Sequence, residues 1–575
     1  MRKLFVCKLV AAAMVAGCVF WAQLAWADSG TKAEPIAVGS FCGYDGMFEN
    51  IGTIGKVSGN PDLAVGLEAM LKLVTRSHGL DGLDKSKPWG AAVYLNGKKP
   101  SGYVFLPVTD LQKLLAILEP FVGKAEDAGD GVLKISGKKG KAEKLFVKQK
   151  GSWAIISKKQ ENLALACDNP AELLGDLPEK YDLAISINAL NIPADLREKV
   201  VEKIKKDAAK DMKRRDGEDD IEHSVRCRVT KDLLAAITGA VNDISRITAG
   251  WTLDNKTEKI HADVTVLAKP GSETARQLTR WSSSKTRFAG FRMTEAVWAG
   301  SLAGDLNDNE ADTLKAVLKA VHDKGLQDIE KKDKPKSHRE AAAGLLGDIY
   351  NAFNEVVGAK RIDSAAALLF EPGSLTLLDA EYAPNPRELE KIAGKISDII
   401  LAEHPELNDV VTIKPDVEEH EGVRFHSVSL KIPPDAKNRE KVVALIGETC
   451  EVILGVGNDS IYMAAGREPL ATLKKAIAAS TKDLDSSVPP AQMSIGMRSL
   501  AGLLAEISKT EKEQSKMATL AKLLETAGDK DHIVLSAVPV ENGLSLRFEV
   551  EEGIIKTIGK MSTMLPSSIT GVLAK

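Results

Sequence analysis

The strongest constraint in this sequence is that it repeats itself. "FCGYDGMFENIGTIGKVSGNPDLAVGLEAMLKLV", from Phe41, lines up without a gap against "FAGFRMTEAVWAGSLAGDLNDNEADTLKAVLKAV", from Phe288. Further correspondences follow in the same order with shifting offsets, as when insertions fall in loops. "WGAAVYLNGKKPSGYVFLPVTDLQKLL" from Trp89 answers "SAAALLFEPGSLTLLDAEYAPNPRELEKI" from Ser364: strand, Gly/Pro turn, strand, helix. Hairpins are predicted at "LFVKQKGSWAIIS" from Leu145 and "VILGVGNDSIYMAA" from Val452, with turns at Lys150-Gly151 and Gly457-Asn458-Asp459. In "YDLAISINAL" from Tyr181, Leu183, Ile185 and Ile187 alternate as Met493, Ile495 and Met497 do in "AQMSIGMRSL". That alternation predicts the buried face of a half-buried strand. A last hairpin pairs "AGWTLDNKTEKIHADVTV" from Ala249 with "IVLSAVPVENGLSLRFEV" from Ile533.

The expected architecture is therefore a tandem gene duplication. Residues 1–27 read as a signal peptide, 28–287 as a first half and 288–575 as a second. Strands joined directly by hairpin turns predict mainly antiparallel sheet. Amphipathic helices, such as the one carrying Leu63, Leu67, Met70, Leu71 and Val74, are expected to cover it, giving an α+β fold. Helix starts are written chemically: Thr109 precedes Gln112 at capping-box spacing, and Asn385-Pro386, Asn169-Pro170 and Asn60-Pro61 place a cap before a first-turn proline. Two charged stretches, from Glu198 and from Val321, read as solvated helices.

The N-terminus carries Arg2, Lys3 and Lys8, then an apolar run, then Ala25-Trp26-Ala27, which places a signal-peptidase cut before Asp28. The competing reading takes Val15-Ala16-Gly17-Cys18 as a lipobox with Cys18 lipidated, but Val19, Phe20 and Trp21 stay apolar where a lipoprotein turns polar. No later stretch reaches the roughly 18 apolar residues of a spanning helix, so no transmembrane helix is expected in the mature chain. Loss of the leader takes Lys+Arg from 77 to 74 against 80 Asp+Glu, a net charge of −6. Nothing in that balance suits a phosphate backbone, and aromatics at 5% suit neither base stacking nor a sugar groove, so nucleic acid is not an expected partner.

Catalytic and metal patterns are weak throughout. Gly455-Val456-Gly457 lacks a third glycine and precedes a return strand, so a hairpin turn is expected and not a nucleotide loop. Asp305, Asn307 and Asn309 have calcium-loop spacing, but Glu310 and Ala316 stand where glycine and a bidentate carboxylate belong; a helix cap is expected. His223 and Cys227 make at most half a zinc site, and His420 and His426 flank a turn at Gly422. Cys42, Cys167, Cys227 and Cys450 allow three full disulfide pairings, but the two halves do not share them. No cofactor or metal is expected, and no catalytic residue can be named.

Phe41-Gly43-Tyr44, Phe288-Gly290-Phe291, "LDKSKPWG" from Leu83, "FLPVTDLQKLL" from Phe105 and "YDLAISINALNIP" from Tyr181 resemble exported, duplicated proteins of unknown function in planctomycete-type bacteria. The resemblance implies export and duplication, and transfers no site. The expected function is an exported, non-enzymatic binding or scaffold protein of the periplasm or cell envelope, its partner a hydrophobic small molecule or an envelope protein. The alternative is an exported hydrolase, for which His223, His261 and His426 are the residues to inspect.

Overall fold

A computed structural model describes residues 34–564, apart from 77, 97–98, 137–143, 282–283, 334, 483–488 and 527. The leader at 1–27 and Cys18 lie outside the described residues. The fold is α+β with antiparallel sheet, in two compact units.

The first unit holds described residues up to Lys56, then Asn60–Leu196 and Ser245–Asn255. Its elements are β1 (Ala37–Phe41), α1 (Tyr44–Val57), α2 (Leu63–Val74), β2 (Trp89–Asn96), β3 (Lys99–Pro107) and α3 (Leu111–Val122). After these come β4 (Ala125–Asp127), β5 (Val132–Ile135), β6 (Leu145–Lys150), β7 (Trp153–Ser157), β8 (Leu183–Asn188) and β9 (Ile244–Asp254). Antiparallel pairing gives the order β4-β5-β6-β7-β3-β2-β1-β8-β9. One core joins Val38, Ala92, Tyr103, Phe105 and Ile155 to Leu163 and Leu174 from the 3-10 turns Gln160–Leu165 and Pro170–Leu174. A second core sets Val147 and Ala154 against Tyr44 of α1 and Leu111 and Leu114 of α3. The cap of α3 is Asp110, whose carboxylate accepts from the Lys113 amide at 3.0 Å; the helix starts one residue later than Thr109 predicts.

The second unit holds 57–59, Arg197–Ile244 and everything described from Lys256 on. It contains α4 (Ala194–Asp211, from Arg197), α5 (Asp220–Asp243), β10 (Lys259–Ala268), α6 (Glu273–Arg280), β11 (Trp298–Asp305), α7 (Asp308–Lys331) and α8 (Lys336–Gly358). Next are β12 (Arg361–Glu371), β13 (Ser374–Tyr382), α9 (Pro386–Glu403), β14 (Val411–His420), β15 (Val423–Lys431), α10 (Arg439–Ile446), β16 (Thr449–Val456), β17 (Ser460–Gly466) and α11 (Pro469–Lys482). Last come β18 (Ala491–Gly496), α12 (Met497–Ile507), α13 (Glu511–Glu525), β19 (His532–Val540), β20 (Gly543–Val550) and α14 (Glu552–Met564). Its strand order is β14-β15-β16-β17-β13-β12-β11-β18-β19-β20-β10. The first nine positions repeat the first unit's order, strand for strand. Its core packs Phe288, Phe291, Phe425 and Tyr462 with Leu473, Ala476 and Ile477 of α11.

The gap-free pairing of the opening stretches does not match this order, because it lays α1 over β11, a helix over a strand. In strand order it is β1, ending at Phe41, that corresponds to β11. The compact units also divide elsewhere than Arg287. β10 is hydrogen-bonded along β20, and α5 packs on α7, so this part of the chain belongs with the second unit. The first charged stretch forms α4 and ends at the cap of α5, and the second lies on α7 and α8; Lys324 of α7 pairs with Glu222 of α5 and, at 3.1 Å, with its cap Asp219.

Candidate functional site

β8 turns Leu183, Ile185 and Ile187 to one face and Ala184, Ser186 and Asn188 to the other. Ala184 is buried, only 1% exposed, whereas Leu183 and Ile185 are each 53% exposed. The alternation was correctly periodic, but its large residues face outward and the small one inward. Cross-strand register carries the open face sideways, because directly opposed residues share a side of a sheet. One row runs Trp251, Leu183, Phe41, Trp89; the next runs Ala249, Ile185, Gly39, Ala91, Val104. Trp251 and Val104 are also exposed, and Phe41 meets Trp89 edge to face at 4.9 Å.

Two adjoining hollows occupy this face. One, of ≈ 210 Å³, lies over Gly39, Ala91, Val104, Leu106 and Ile185. The other, of ≈ 250 Å³, is walled by Met47, Asn50, Ile51 and Ile54 of α1 and by Cys42, Asp182 and Trp251. Phe41 and Leu183 line both. α2 has no buried residue; Leu67, Met70 and Val74, expected to face the core, are exposed along with Val65 and Leu73, while Leu71 packs against the second core.

The polar groups at the α1 hollow are held by the backbone. Asp182 donates its amide to the Trp251 carbonyl, accepts from the Cys42 amide, and takes the Leu253 amide on its carboxylate at 2.7 Å. Burial, and then the Asp182 charge, push the Cys42 thiol up to about 11, so it stays protonated at neutral pH and is no nucleophile. The buried Asn50 accepts from the Asn255 side chain at 2.9 Å. This arrangement can hold an apolar body; it does not activate a reacting atom.

The residues flagged from sequence do not assemble elsewhere. His223 on α5 lies 3.4 Å from Glu218 and 3.7 Å from Cys227, which confirms the shared helix face. His261 stands on β10 opposite Glu549, and His426 on β15 lies 3.3 Å from Glu390. The three occupy separate elements with separate partners. Asn307 caps α7 in a reciprocal box with Glu310, at 2.7 and 2.8 Å. Gly455 to Gly457 close a hairpin, the Gly457 amide donating to Ser460. Cys42, Cys167, Cys227 and Cys450 are all free thiols. Among the described residues no group of three or more His, Cys, Asp or Glu is placed to hold a metal ion, and no helix is long and apolar enough to cross a membrane.

Sequence reasoning missed one centre. The buried His532 has Nδ1 3.0 Å from a Glu551 carboxylate oxygen and Nε2 2.7 Å from the Thr294 carbonyl. Acceptors at both nitrogens require hydrogens on both, hence an imidazolium. Its partners lie too far apart in sequence for any spacing to reveal, and its closure to solvent makes it a structural tie. Comparison of the chain with known protein families, curated proteins and solved structures returned no match.

Proposed function

We propose that this is an exported, non-enzymatic binding protein that takes an apolar partner on the β9-β8-β1-β2-β3 face of its first unit. The observation that carries this is the double exposure of Leu183 and Ile185 on the strand face opposite the buried Ala184. Burying such a face on a partner releases on the order of 25 cal/mol per Å² of apolar surface, a drive that a solvated face leaves unused. Export rests on the leader ending at Ala27, and duplication is supported by the repeated nine-strand order. The three histidines weighed for a hydrolase stand apart, which is why binding and not hydrolysis is proposed.

The test uses the chain beginning at Asp28 and the neutral dye N-phenyl-1-naphthylamine, whose fluorescence rises in apolar sites. The expected result is saturable binding, weakened at least tenfold by the double substitution Leu183→Asp with Ile185→Asp at unchanged circular dichroism. Equal dye binding by the correctly folded double variant would remove the proposal.

A further inference from the structure

α2 turns its apolar side away from the protein. Its inward side is narrow: Leu71 packs on the second core, and Thr75, just past the helix, is buried. At about 100° per residue, the exposed Val65, Ala69, Leu73, Met70, Val74 and Leu67 follow one another round roughly 200° of the helix. None of them is charged. Leu73 at 79% and Val65 at 67% are the two most exposed large apolar side chains among the described residues. The fold does not demand this surface. α7 and α8 stand between β11 and β12 as α1 and α2 stand between β1 and β2. Over 24 and 23 residues they expose only Leu314, Val321 and Phe353, whereas the 12 residues of α2 expose five large apolar side chains.

The breadth and the charges of this surface both bear on what covers it. A packed partner helix covers a stripe of roughly 100°, which leaves half of the arc wet. Lipid closes around the whole outward half of a helix lying in its surface. The exposed Lys72 borders the arc, and the exposed Arg76 follows its C-terminal end. The exposed Lys56 ends α1 beside the start of α2, where the Asn60 amide donates to the Gly55 carbonyl at 2.8 Å. Against these three cations stand Asp62, ahead of the first turn, and Glu68, which pairs with Lys72 at 3.3 Å. We infer that α2 is a membrane-docking helix, lying in the surface of an anionic bilayer with Val65, Met70 and Leu73 immersed. Lys56, Lys72 and Arg76 then sit among the headgroups, where each cation adds to the apolar drive. No residue of α2 lines either hollow, so this surface is separate from the binding face proposed above.

The experiment is flotation of the chain beginning at Asp28 with vesicles of phosphatidylcholine, alone or mixed equally with phosphatidylglycerol. Binding to the mixed vesicles is expected to be at least threefold tighter than to the neutral ones at low salt, with the difference shrinking as salt is raised. Met70→Asp with Leu73→Asp should weaken binding at least tenfold at unchanged circular dichroism, since both side chains project into solvent. Leu73→Ser is the milder variant and should weaken it several-fold. Equal binding by the folded double variant, or no flotation with either vesicle, overturns the inference. So does a lipid-free dimer that the double variant dissolves while neither protein floats, which assigns α2 to a second copy of the chain. Equal binding to both vesicle types overturns the anionic assignment. Leu183→Asp with Ile185→Asp should float as the unaltered protein does; loss of flotation there moves the lipid contact to the sheet face and overturns the role of α2.

Discussion

Asp263 and Arg547 face each other across the β10–β20 ladder, the carboxylate accepting from Nε at 2.9 Å and Nη2 at 2.8 Å. Each is the fifth residue of its strand, and the pairing is symmetric about them: Ile260 meets Val550 as Val266 meets Leu544. Two strands related by such an axis would, if identical, set like residues against each other at its centre. Here the centre carries opposite charges. With Asp263 buried and Arg547 partly open, Asp263→Asn is expected to lower stability by about 2 kcal/mol. Arg547→Asp should cost more, by facing two carboxylates, and Asp263→Arg with Arg547→Asp should recover most of the loss. Urea unfolding of the unaltered protein, Asp263→Arg, Arg547→Asp and their combination closes the cycle; strictly additive losses would contradict the pairing.

His532 makes stability depend on pH on the alkaline side. The Glu551 hydrogen bond, outweighing burial, holds its pKa above the ordinary histidine range. A raised folded pKa gives a contribution that is complete below the unfolded value near 6.5 and is lost as pH climbs through the folded one. Glu551 behaves oppositely: burial lifts its carboxyl, but the His532 bonds prevail and lower it, so its share is lost as pH falls. Unfolding temperature should therefore decline as pH rises above the unfolded histidine value near 6.5, and His532→Gln should flatten that decline. An unchanged pH profile in the variant would contradict the imidazolium assignment.

The orientation of β8 yields an inverted mutational pattern. Ala184 is closed in on the core side, so Ala184→Leu should overpack and cost about 1–3 kcal/mol. Leu183→Ser, at a position half open to solvent, should cost less than about 1 kcal/mol, although leucine is the larger apolar residue. Thermal denaturation of the two variants side by side distinguishes this from the conventional leucine-in arrangement, which reverses the ranking.

The thiols should separate by environment. Cys167 is exposed, whereas Cys42 is half-buried with its pKa raised to about 11, and burial raises Cys450 as well. Brief iodoacetamide treatment of the native protein at pH 8 is expected to modify Cys167 well before Cys42 or Cys450, as read by peptide mass spectrometry. Early alkylation of Cys42 would mean that its α1 wall opens readily.

Local features were legible in the sequence where local physics decides them. Hairpins announce themselves through alternation and turn residues, so β6–β7 and β16–β17 fall where expected. Asn307 caps its helix because the bonds involved span three residues. What periodicity cannot say is whether another element will cover an apolar face, and the large side of β8 and the stripe of α2 were both read as core on periodicity alone. The repeated F-x-G-[YF] spelling misled for a different reason. Gly43 is needed for its φ of +100° beneath the Lys87 carbonyl, while at Gly290 a Cβ would come within 2.2 Å of the Ala476 carbonyl. One spelling thus serves two unrelated requirements. His532 and the Asp182 hollow depend on long-range approach, which leaves no periodic trace.

The outermost strands carry a further consequence. Among the described residues β4 pairs only with β5, and β14 only with β15. β4 is three residues long with Glu126 and Asp127 exposed; β14 contains Pro415, Asp416, Glu418 and Glu419 and loses register between Lys414 and Glu418. A three-residue acidic strand and an acidic strand interrupted at Pro415 both make poor templates for another chain's backbone. When this protein crowds, its molecules will meet through greasy faces and not by lengthening one another's sheets. Such association is reversed by mild detergent and does not ripen into fibrils.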